Sequence, residues 1–63
     1  MATKMTTSTP GGVKEFELDL EVPALVKRVN EKLKTNEKFF SAKLDDGKTR
    51  AFVAADVIAI WEE

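Results

Sequence analysis

Few side chains in this sequence could perform chemistry. The 63 residues include neither histidine nor cysteine, which excludes Ser-His-Asp catalysis, thiolate nucleophiles and cysteine-containing zinc sites. The hydroxyl groups of Ser41 and Thr49 have no base beside them in the sequence. Acid–base catalysis by a pair of carboxylates needs a concave pocket, and a chain of this length can hardly form one. We therefore expect no enzymatic activity, no cofactor and no metal.

The tripeptide Gly47-Lys48-Thr49 invites comparison with a phosphate-binding loop. Such a loop has a first glycine five residues before the Gly-Lys pair, and a helix follows whose N–H groups face the phosphates. Here position 42 is alanine, and strand-like residues follow Thr49. The segment is therefore interpreted as the tip of a hairpin.

Acidic and apolar residues alternate strictly over positions 15–22. This period of two predicts a strand with an apolar face (Phe16, Leu18, Leu20, Val22) and an acidic row (Glu15, Glu17, Asp19, Glu21). Carboxylates on one face of a strand are about 7 Å apart and do not converge on one ion. We interpret the acidic row as a solvated face that guards an edge strand, with docking to a basic partner as the alternative.

Two further elements follow from the local pattern. Pro23 suits the first turn of a helix, and the apolar residues that follow it recur at helical spacing, which predicts a helix over 23–35. Asn36 is expected to take the left-handed conformation that ends it. The β-branched run at 57–62 predicts a last strand, with a helix from Asp56 as the alternative.

The dipeptide Asp46-Gly47 between two strand-like runs predicts a hairpin. With these two residues as the loop, Leu44 faces Thr49, and the strands place a mostly apolar set on one face. The opposite face then carries aromatic and cationic residues together: Phe39, Phe52, Lys43 and Arg50. Aromatics interleaved with cations on a sheet are typical of modules that stack single-stranded bases.

The composition is that of a single folded domain. Hydrophobic residues form 43% of the chain, charged residues form 33%, and the net charge is −1. Residues 1–12 are rich in Thr, Ser and Gly, so we expect a flexible tail there and a single domain over 13–63. No apolar stretch is long enough for a membrane span. We expect a cytoplasmic location, in a cell or in a virus-infected cell.

Residues 47–62 resemble the closing strands of small SH3-like and Sm-like β-barrels. The resemblance lies in a turn glycine before a strand, a short turn carrying Asp56, and the run Asp-x-Ile-x-Ile ending at Ile60. It implies a small, strongly bent sheet. No RNA-binding residues carry over from it.

These patterns together predict an α+β fold in the order strand, helix, strand, strand, strand. The sheet is expected to be mainly antiparallel and strongly twisted, with the helix packed on one face and closure into a barrel as the alternative. On this assignment four apolar residues remain on the reverse face of the sheet: Phe39, Phe52, Val57 and Trp61. An exposed patch of this kind is unusual on a soluble monomer.

We therefore expect a small non-enzymatic interaction protein that binds another protein or itself, most simply as a homodimer through that patch. The size would suit a phage or mobile-element accessory protein. The alternative, which we expect less, is a single-stranded nucleic-acid-binding module that uses Lys43 and Arg50 together with Phe39 and Phe52.

Overall fold

The computed structural model describes residues 2–63. Five strands, one helix and a short 3₁₀ turn follow one another along the chain: β1 (Thr3–Thr9), β2 (Gly12–Leu18), α1 (Val22–Lys34), β3 (Phe39–Lys43), β4 (Thr49–Val53), the 3₁₀ turn (Ala54–Asp56) and β5 (Val57–Glu62). The predicted α+β class is confirmed. No helix of this part of the chain is long and apolar enough to cross a membrane.

The strands form two antiparallel sheets. One has the order β2-β1-β5 and the other pairs β3 with β4. A single bridge between Leu18 and Leu44 connects them. Over residues 2–63 the sheets are not closed into a barrel, so the barrel alternative is not realised.

The N-terminal segment is the largest departure from the sequence analysis. A flexible tail was expected over 1–12, but β1 lies in the middle of its sheet and pairs with β2 on one side and β5 on the other. Gly12, with φ of 115°, completes the turn into β2. The expected tail is therefore wrong for residues 3–9, and the domain includes them. Met1 lies outside the described residues.

The helix and the last strand agree with their predictions. Helix α1 has Pro23 in its first turn and is followed by Asn36 at φ of 60°, and it buries Leu25 and Val29. Strand β5 confirms the strand interpretation of 57–62 over the helical alternative.

The hairpin forms, but its register differs from the expected one by one residue. Phe40 pairs with Phe52, and Lys43 pairs with Thr49. The loop has three residues, because the Leu44 N–H donates to the Lys48 oxygen at 2.7 Å and Gly47 takes φ of 89° as its last member. Since strand side chains alternate, a shift of one residue moves each side chain of β4 to the other face.

The core lies between the two sheets and α1. Among residues 2–63 it contains eight buried apolar side chains, contributed by both sheets, the helix and the 3₁₀ turn: Met5, Leu18, Leu25, Val29, Phe40, Ala42, Phe52 and Ala54. The Phe52 ring stacks on Phe40 with centroids 5.6 Å apart and meets Phe16 edge-on at 5.1 Å. Phe52 is thus a central core residue rather than a surface residue.

Candidate interaction surface

The four residues expected to form an apolar contact patch do not lie together. Phe52 is buried and Val57 packs against the core. Trp61 is opposite Lys4 in the three-stranded sheet. Phe39 is 55% exposed at the start of β3. The patch of Phe39, Phe52, Val57 and Trp61 is therefore not formed, because the register shift turns Phe52 inward and because Val57 and Trp61 belong to a different sheet from Phe39.

The proposed nucleic-acid face is divided by the same shift. Phe39 and Lys43 point to the outer face of the hairpin, away from the core, whereas Phe52 and Arg50 point to the inner face. The Arg50 guanidinium lies over the rings of Phe16 and Phe52, 4.8 and 5.7 Å from their centroids. Lys43 is opposite Thr49 instead of Arg50. These four residues therefore do not form one binding face.

The outer face of the hairpin nevertheless carries exposed apolar side chains. Phe39 is directly opposite the half-buried Val53. Leu33, at the end of α1, is 50% exposed and lines one hollow together with Val53. We define the Phe39 surface as Leu33, Phe39 and Val53 with the exposed Ser41 and Ala51 beside them. The sequence pattern predicts Leu33 and Val53 as core residues, whereas Leu33 is 50% exposed and Val53 is half-buried at this surface.

Two open hollows flank these apolar side chains. The larger, of about 550 Å³, lies between α1 and the hairpin and includes Arg28, Lys32 and Phe39 in its lining. The smaller, of about 220 Å³, includes Leu33 and Val53. The exposed Phe39 ring and the two open hollows beside it give this surface a shape that a complementary protein surface can fit.

Charged groups of both signs surround the Phe39 surface. The Arg28 Nη1 donates to the backbone oxygen of Ser41 at 2.9 Å, and the Lys38 Nζ lies 5.6 Å from the centre of the Phe39 ring. The Glu37 carboxylate accepts from the Thr35 hydroxyl at 2.7 Å and lies 3.4 Å from the Lys32 Nζ. The Thr35 hydrogen bond, followed by Lys32, lowers the pKa of Glu37. The rim is therefore polar, and its Glu37 carboxylate stays ionised at neutral pH.

The acidic row is partly neutralised within the fold. Lys4 of β1 lies 3.5 Å from Glu15 and 3.0 Å from Glu17, and Lys43 lies 3.9 Å from Asp19. The row's last member, Glu21, precedes α1, and its backbone oxygen accepts from the Leu25 N–H at 3.0 Å. No group of three or more potential ligand side chains with metal-binding geometry occurs in residues 2–63.

The sequence matches no protein-family model, and the comparisons with curated proteins and with solved structures also returned no match.

Proposed function

We propose that this protein is a non-enzymatic interaction module that binds another protein through the Phe39 surface. The observation that supports this is the exposure of Phe39, which leaves a large aromatic side chain in solvent beside an exposed leucine. Buried aromatic side chains contribute more to protein–protein affinity than most other residues. An apolar centre within a charged rim is also the usual anatomy of such an interface.

A single-stranded nucleic acid is the second candidate for the same surface. Phe39 offers an exposed ring for stacking, with the Lys38 Nζ 5.6 Å from the ring centre and Lys43 on the same face at the other end of β3. Glu31 lines the larger hollow together with Phe39, and Glu37 lines the smaller hollow beside Leu33 and Val53, so carboxylates that repel phosphates border this surface. The mixed rim favours a protein partner over a polyanion.

Site-specific photo-crosslinking tests the proposal. A benzophenone side chain at position 39 should crosslink one defined protein in extract from the source organism. The matched control carries the same group in place of Val13, which is 64% exposed and belongs to the other sheet. Adding excess unlabelled protein should abolish the crosslink from position 39, and adding the Phe39→Ala variant should not.

Two results would contradict the protein-binding proposal. Equal crosslinking from positions 39 and 13 would mean that the Phe39 surface has no selectivity. Micromolar affinity for an unstructured oligonucleotide, lost in both Phe39→Ala and Lys43→Ala, would favour the nucleic-acid candidate instead.

A further inference from the structure

One edge of the β3-β4 hairpin is open. Strand β4 is hydrogen-bonded to β3 alone among the strands of residues 2–63. The Leu44 N–H donates to Lys48, and the Ala54 N–H donates to Lys38. Because hydrogen-bonded pairs alternate in an antiparallel ladder, Arg50 and Phe52 bond to β3 and the peptide groups of Thr49 and Ala51 point outward.

The other edge of the same hairpin is occupied. The backbone oxygen of Lys43 accepts from the Asp19 N–H at 2.8 Å, and the backbone oxygen of Ser41 accepts from the Arg28 side chain at 2.9 Å. Within residues 2–63 no hydrogen bond like those to Lys43 and Ser41 covers the outer edge of β4, and β4 contains neither proline nor lysine, the residues that commonly protect an edge. A groove of about 190 Å³ lies beside it, with residues 7–10 on the far side. The fold thus protects one edge and leaves the other available for pairing.

We propose that two copies of this chain pair antiparallel through their β4 strands about a two-fold axis at Ala51. This inference rests on the proposed function as an interaction module and names a second copy as one partner, at the backbone edge of β4, which adjoins the Phe39 surface at Ala51 and Val53. Ala51 then exchanges two backbone hydrogen bonds with the partner's Ala51. The closed two-fold arrangement uses the same strand on both chains.

The sequence of β4 is compatible with pairing to itself. About an axis at Ala51, Thr49 is opposite the partner's Val53, and Arg50 is opposite the partner's Phe52. The residue at the axis is small, so the two backbones can approach. Arg50 then lies beside the partner's Phe52, an apolar residue that is buried within its own chain, so this pair places no second charge opposite the arginine. No like charges lie directly opposite each other, which favours a second copy as the occupant of this edge.

Sedimentation equilibrium of the full chain, from about 5 µM to about 1 mM, tests this pairing because an interface of one strand is small. We expect the mass to approach twice the 7.0 kDa of the chain at high concentration. Ala51→Pro removes the outward N–H, and it should raise the dimer dissociation constant at least about 30-fold because two hydrogen bonds are lost. Ala51→Val keeps the N–H and serves as the matched control, with the dimer retained.

Amide hydrogen exchange gives a second measurement that does not depend on folding of the proline variant. The Ala51 amide should become more protected as the wild-type concentration rises. The Glu15 amide, which points away from β1 on a different edge, should not change. A monomer at every concentration, or a dimer that Ala51→Pro leaves intact, would overturn the inference. A dimer that survives Ala51→Pro but is lost in Phe39→Glu would instead place self-association on the Phe39 surface.

Discussion

Lys4 Nζ lies 3.0 Å from Glu17 Oε1, and the two residues are directly opposite each other on β1 and β2. The same ammonium lies 3.5 Å from Glu15 and 3.8 Å from Glu63, which follows β5. The Lys4 ammonium on the central strand therefore balances carboxylates that come from its two neighbours, β2 and the end of β5. The hydrogen bond between them raises the pKa of Lys4 and lowers the pKa of Glu17. Lys4 thus supplies a counter-charge within the fold to two of the four members of the acidic row.

Replacing this cation should destabilise the protein. Lys4→Met leaves Glu15 and Glu17 without a counter-charge, so we expect a lower urea midpoint at pH 7 and a smaller difference from wild type at high salt. Lys27→Met is the matched control, since Lys27 is exposed and forms no ion pair within residues 2–63. Equal midpoints for the two variants would mean that the ion pairs of Lys4 contribute nothing.

A second carboxyl group near Glu17, that of Asp45, should make the stability of the protein depend on pH. Glu17 raises the pKa of Asp45 from its ordinary value of 3.8, chiefly through a hydrogen bond that needs a proton on one of the two groups. A folded pKa above the unfolded one stabilises the protein at low pH, and this contribution is lost as the pH rises through the folded pKa. Asp45→Asn should therefore raise the urea midpoint at pH 7, and the gain should disappear below about pH 3.8.

The Glu17→Gln background is the control for this prediction. Without the Glu17 carboxylate, Asp45 has lost the main cause of its raised pKa, so Asp45→Asn should no longer stabilise the protein at pH 7. A gain of the same size in both backgrounds would show that the Asp45 effect has another origin.

Local pattern was sufficient to predict α1 and the existence of the hairpin. It was insufficient to predict the register, because the loop length depends on which residue takes the left-handed conformation. Gly47 does so as the third loop residue, and the Asp46 Oδ1 accepts from the Lys48 N–H at 2.9 Å to hold that turn. This one-residue difference in register moved Phe52 into the core. It thereby removed Phe52 from both the predicted apolar contact patch and the predicted nucleic-acid face.

Strand β1 was missed for a different reason. Its Thr-rich sequence has the composition of a disordered tail, and only Met5 provides a large apolar side chain. Threonine is nevertheless a good strand former because it is β-branched. Hydrogen bonding to β2 and β5 stabilises β1, whereas its own residues do not alternate between apolar and polar. Pairing with strands elsewhere in the chain cannot be recognised from the local sequence.

The central position of β1 gives a prediction on stability that is opposite to the one expected of a tail. Met5 is fully buried, so Met5→Ala should cost about 2–5 kcal/mol of unfolding free energy. Ser8→Ala, on the exposed side of the same strand, should stay within about 0.5 kcal/mol. Chemical denaturation of both variants measures the difference. Similar small losses for the two would mean that β1 is not part of the stable sheet.

Alanine substitutions of the two adjacent phenylalanines on β3 should have different effects, one on folding and the other on partner binding. Phe40 is 2% exposed, and Phe40→Ala should cost about 3–5 kcal/mol, enough to unfold much of so small a protein at 25 °C. Phe39→Ala removes a ring that is 55% exposed, so the unfolding free energy should change by about 0.5 kcal/mol or less. The same variant should lose binding to a partner captured at position 39. If Phe39→Ala instead destabilised the fold as much as Phe40→Ala, the ring would be a packing residue and the Phe39 surface would not be a binding surface.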